Sequence, residues 1–160
     1  MNVITTVTNV IYLTMEWLHL LATAVWIGAM VVLLLVIIPS GREVLEGSEF
    51  KKLMKSAGKR MTFLVNISII VLVVTGIGLG IEKDTGWSST LLVKHVMVFA
   101  MIAIHLGRNK IIGPKLEQMA AQKSSSKSFV QLQKLQMNLV WVNLALGILV
   151  LLLSAVLAAL

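Results

Sequence analysis

Three side chains that can carry charge or bind metal stand inside one apolar run. In TLLVKHVMVFAMIAIHLGR, residues 90–108, these are Lys94, His95 and His105. Upstream, a second apolar run carries Glu16 and His19. An ionisable group within hydrocarbon costs roughly 2.5 kcal/mol or more unless it is paired or hydrated. Partners among these groups would remove that cost: Lys94 with Glu16, and the histidines with backbone or water. Ligand binding would also remove it. Imidazole is an axial ligand of haem iron, and imidazole with thioether suits copper.

The elements that position these groups follow from composition. The chain has 160 residues, 58% of them hydrophobic and 13% charged, with a mean hydropathy of +0.92. Soluble domains hold about 45–50% apolar residues. Crossing about 30 Å of hydrocarbon takes roughly 20 helical residues. Four stretches qualify: residues 11–38 ending at Pro39, 61–81, 90–112 ending at Gly113-Pro114, and 135–160. The expected fold is an all-α integral membrane protein, a four-transmembrane-helix bundle forming a single domain over residues 1–160. The first apolar run lacks a basic leader and a small-residue cleavage site, so it is expected to stay as a helix. No strong internal repeat is visible in the residues.

The net charge of +7 is concentrated between spans. Arg42, Lys51, Lys52, Lys55, Lys59 and Arg60 lie between the first two, and Arg108, Lys110, Lys115, Lys123, Lys127 and Lys134 between the last two. The turn after span two has Lys83 beside Glu82 and Asp84. The bias in basic residues places both basic loops in the cytoplasm and both termini on the extracytoplasmic side of the inner membrane. This charge pattern serves orientation, and no nucleic-acid motif accompanies it. Residues 43–59 read as an amphipathic helix lying on the inner surface or as a solvated loop. Residues 122–128, QKSSSKS, read as a flexible linker. The absence of cysteine rules out disulfides, thiolate ligands and c-type haem attachment.

Direction sets depth. His19 and His95 fall at similar levels in the outer parts of two spans, so a bundle would bring them face to face. His105 lies about 15 Å deeper than His95, at the level of Asn138 and Asn143. Lys94 and His105 share a helix face to within about 20°, and His95 is turned by about 100° from Lys94. In one reading His19 and His95 clamp a b-type haem and Lys94 neutralises a propionate. Gly76, Gly78 and Gly80 in TGIGLG would let a flat ligand, or simply another helix, come close. In another reading the metal is copper, bound along Met15/His19 and Met97/Met101/His105, each one turn apart; methionine at this spacing also suits plain packing. Trp17 and Trp87 suit an outer interface belt, Trp141 an inner one, and Trp26 packing or a cavity wall. No nucleophile–base arrangement points to hydrolysis.

LHLLATAVWIGAMVVLLLVIIP, KRMTFLVNISIIVLVVTGIGLG and LLVKHVMVFAMIAIHLGRNKIIGPKL resemble three successive helices of the CopD-like (copper-resistance protein D) membrane domain family. That resemblance implies a copper-linked role. A more distant likeness is to the HemJ-type protoporphyrinogen oxidases, small helical bundles that bind haem b. It rests on His19 before Trp26 and Ile27-Gly28, and on Lys94 before His105. It implies cofactor-binding roles for His19 and Lys94, with His95 an addition of this chain; the paired histidine of that family is missing, since Leu106 follows His105. Three functions remain open: a haem b protein or redox anchor for electron transfer, a copper-handling or copper-transport protein, and a cofactor-free structural subunit. The expected partners are the lipid bilayer, a redox partner in the membrane or on its outer face, and a second copy of the chain.

Overall fold

The computed structural model describes residues 3–82, 89–122 and 126–159; Lys83, Asp84, Trp87 and Lys123 lie outside them. Among the described residues there are helices and no strands. Four helical stretches are long and apolar enough to cross a membrane: Thr5–Val44, Gly47–Gly80, Thr90–Ala121 and Lys127–Leu157. Large side chains such as Leu13, Phe63, Val74, Phe99 and Leu152 are exposed on their outer faces. Such surfaces suit acyl chains, and a helix satisfies its own backbone where no water is present.

The chain divides into two compact units, Met1–Gly86 and Trp87–Leu160. In the first, α1 (Val3–Val31) runs through a widened π-helical segment, Val32–Ile37, into α2 (Ile38–Val44), and α3 (Gly47–Glu82) returns alongside. In the second, α4 (Ser89–Gly107) runs through another such segment, Arg108–Ile112, into α5 (Gly113–Ala121), and α6 (Lys127–Ala159) returns. Helix α1 packs along α3, and α4 along α6.

Helix therefore continues through both prolines, where the sequence predicts an end. In a regular α-helix each proline ring would meet the carbonyl four residues back. Here the turn before it is widened. The Ile38 N–H donates to the Leu33 carbonyl and the Gly113 N–H to the Arg108 carbonyl, five residues back in each case. Widening makes room for the ring and keeps the neighbouring amides bonded.

Residues 43–59 form neither a surface helix nor a loop. The chain ends α2, turns at Leu45 in an extended conformation, and most of the segment forms the first turns of α3. At 36 residues and about 1.5 Å each, α3 is far longer than the hydrocarbon is thick. Its exposed Lys51, Lys52, Lys55, Lys59 and Arg60 occupy the overhang. The predicted 122–128 linker is shorter too: Ser126 caps α6, its hydroxyl accepting the Phe129 N–H at 3.3 Å, as N-cap serines do.

The units share one plan. The shift that carries Pro39 onto Pro114 also carries the buried Trp26 onto Met101, Met30 onto His105, Val65 onto Val140 and Ser68 onto Asn143, every one buried. The buried stripe that runs from α1 through the widened segment to the start of α2, with Ala22, Trp26, Met30, Leu34 and Ile38, repeats every fourth residue, the face that 4-4 ridge packing uses. Few identities accompany the repeat, because one apolar residue replaces another freely on such a face.

The α2–α3 turn is closely packed at Gly41. A β-carbon there would lie 3.0 Å from Phe50 Cδ2 and 3.2 Å from Leu53 Cδ2. Gly41→Leu should overpack the α2–α3 turn and cost about 1–3 kcal/mol. Gly58→Leu, where nothing lies within 4 Å, should cost less. Thermal unfolding of the purified proteins checks the order.

Candidate functional site

His19 is half-buried on α1, and its Nδ1 lies 2.8 Å from Thr75 Oγ1 on α3. The threonine settles the direction of this bond. Its hydroxyl hydrogen goes to the Val71 carbonyl at 2.6 Å, the usual i−4 bond of a helical threonine. A hydroxyl has one hydrogen to give, so Oγ1 accepts from His19 Nδ1–H. In the neutral ring the basic lone pair is then on Nε2. A ring N–H held by an acceptor is the arrangement found behind metal-ligating histidines.

The glycines of TGIGLG serve this seam. A β-carbon at Gly76 would lie 3.5 Å from His19 Cε1, and one at Gly78 would lie 2.6 Å from Met15 Sδ. Met15 and His19 therefore rest, one turn apart on α1, against a strip of α3 without side chains. Nothing lies within 4 Å of a β-carbon at Gly80. Glu16 is half-buried beside them, and Thr23 bonds the His19 carbonyl at 2.8 Å.

His95 belongs to the second unit, is exposed on α4, and has its Nδ1 2.7 Å from the Leu91 carbonyl. A carbonyl only accepts, so Nδ1 is again the protonated nitrogen and Nε2 the basic one. Lys94 beside it is half-buried. Thus His19 and His95 each find a hydrogen-bond partner within their own unit.

His105 lies apart from His95, buried on the face that packs on α6. Asn109 Nδ2 donates to its Nε2 at 2.9 Å, so the nitrogen that is basic in the other two rings is here an acceptor in use. Met97 is half-buried and Met101 buried on that same face, where packing accounts for them. Of the two asparagines expected at this level, Asn143 is fully buried and Asn138 exposed. Trp26 is a core residue, while Trp17 and Trp141 are exposed. Among the described residues no three His, Cys, Asp or Glu side chains gather as a metal-binding group.

Sequence reasoning missed Thr75, Arg108 and Asn109. Thr75 had a signal: a hydroxyl opening the glycine run, at the depth of His19. Arg108 was counted only among the bases that set orientation, and Asn109 carried no signal of its own.

Four long apolar helices in two hairpins define a multi-pass helical membrane protein. The chain belongs to the family described as Domain of unknown function (DUF4149), whose model matches residues 21–125. The matched stretch includes both prolines, Thr75, Lys94, His95 and His105; Met15 and His19 precede it. No curated protein matches the chain, and no solved structure does.

Thr75→Val keeps the shape and removes the acceptor. It should lower stability by about 1 kcal/mol and release the His19 tautomer, read from imidazole nitrogen NMR shifts; Thr75→Ser should restore both.

Proposed function

We propose that this protein is a haem b membrane protein that transfers electrons, by itself or as the anchor of a redox partner, with His19 of the first unit and His95 of the second as candidate iron ligands. One observation carries the reading. In both rings Nδ1–H is held by an acceptor, on Thr75 and on the Leu91 carbonyl, which makes Nε2 the nitrogen suited to iron. That supports both rings as ligands. Bound haem iron would supply one-electron chemistry. The chain's part is to orient the rings: Thr75 fixes His19 against α3, and Leu91 fixes His95 along α4. Lys94 supplies a cation next to His95 for a propionate. We place the basic loops in the cytoplasm and both termini outside the inner membrane, supported by the distribution of Lys and Arg.

A second reading, copper handling, is favoured by the strip that Met15 and His19 share against Gly78 and Gly76. A thioether and an imidazole one turn apart suit cuprous copper. Absorption spectra and metal analysis of protein purified from haem-replete, copper-supplied cells separate the two. The haem reading predicts a Soret band that His19→Ala and His95→Ala each abolish and Met15→Leu retains. Copper without haem, lost in Met15→Leu and His19→Ala, would establish the second reading. A colourless, metal-free protein would overturn both.

Orientation has its own check. The chain has no cysteine, so single cysteines at Lys52 and Lys127 report without background. Both should react with an impermeant maleimide only after the inner face is opened; reaction in intact cells would reverse the topology.

A further inference from the structure

The second unit carries a polar group that the proposed outer site does not use. Asn143 is fully buried, and neither end of its amide has a partner among the described residues. A buried amide left so costs about 1–3 kcal/mol. Arg108 is half-buried, and its Nε is buried and also unbonded. The two are on neighbouring helices at one level. Lys115 and Met119 of α5 line a groove with Gln131 and Leu132 of α6. Counting back from there along both helices, at roughly 1.5 Å per residue, brings Asn143 to within about one turn of His105 and Arg108. His105 and Asn109, already bonded to each other at 2.9 Å, complete the group.

Charge says what would bind. From Trp87 onward the sequence has seven Lys and Arg but one acid, Glu117. Arg108 makes no ion pair among the described residues. A guanidinium without a carboxylate, beside amide donors, is a receptor for an oxyanion, and its fork matches phosphate. Depth agrees. Arg108 lies 19 residues beyond Ser89, about 28 Å along a helix, which is close to the hydrocarbon thickness. That puts it at the level of headgroup phosphates on the side of the basic loops, with exposed Lys110 and Lys115 next to it.

We propose that Arg108, with Asn143, His105 and Asn109 around it, binds the phosphate group of an anionic ligand at the basic end of the second unit. A phospholipid headgroup and a free phosphate compound share this chemistry. The test uses the full chain in phosphatidylcholine nanodiscs, with thermal unfolding followed as phosphatidylglycerol is added in one arm and inorganic phosphate in another. Stabilisation in either arm supports the site, the first naming lipid as the source and the second a free anion. Arg108→Gln and Asn143→Leu should weaken the response about tenfold or more, and Arg108→Lys, which keeps charge but loses the fork, by less. Lys59→Gln, a base of the first unit, should leave it unchanged. No stabilisation in either arm would overturn the proposal, as would a response equal in wild type, Arg108→Lys and Asn143→Leu. The Lys and Leu variants retain charge and burial respectively, so loss of fold in Arg108→Gln alone would not decide the matter.

Discussion

Inside hydrocarbon, a polar hydrogen has no water to fall back on, and most local features of this chain follow from that. Both prolines lie within helices, yet the chain stays helical around them, because a broken turn would strand amides. The widened segments at Val32–Ile37 and Arg108–Ile112 keep them bonded by reaching five residues back. The same constraint governs side chains. Ser68, Thr75 and Ser154 each return a hydroxyl to the carbonyl four residues earlier. Once Thr75 has spent its hydrogen in this way, its oxygen can only accept, and the state of the His19 ring follows.

Much of the architecture was legible in the residues. Four apolar stretches became four spanning helices, since an apolar run of that length has few other stable outcomes. The boundaries were less legible. Proline reads as a stop, and it is one where water can take the freed carbonyls; in a long apolar helix a local widening is the cheaper solution. Residues 43–59 were ambiguous for a related reason: mixed charge marks solvent exposure, and an overhanging helix is as exposed as a loop. The internal repeat escaped the residues because packing fixes which positions are buried, not which apolar side chain fills them.

The candidate site was legible in part. His19, His95, Lys94 and His105 stood out by type alone, as ionisable groups in hydrocarbon do. Their states did not, because a ring's tautomer depends on partners remote in sequence: Thr75 is far from His19 along the chain and 2.8 Å away in space. The repeat sharpens the contrast between the units. Where the first buries Met30 and Ser68, the second buries His105 and Asn143. One plan thus holds hydroxyls, Ser68 and Thr75, in the interior of one hairpin and an imidazole and an amide in the other, with nearly all the net charge in the second.

If His19 binds haem iron through Nε2, the oxidised protein holds a ferric centre that depends on that ring. Low-temperature electron paramagnetic resonance of the oxidised protein reads this directly. A low-spin ferric signal in the wild type that disappears in His19→Ala is the expected result. No ferric signal from protein made in haem-replete cells, or a low-spin signal that persists unchanged without His19, would contradict the account.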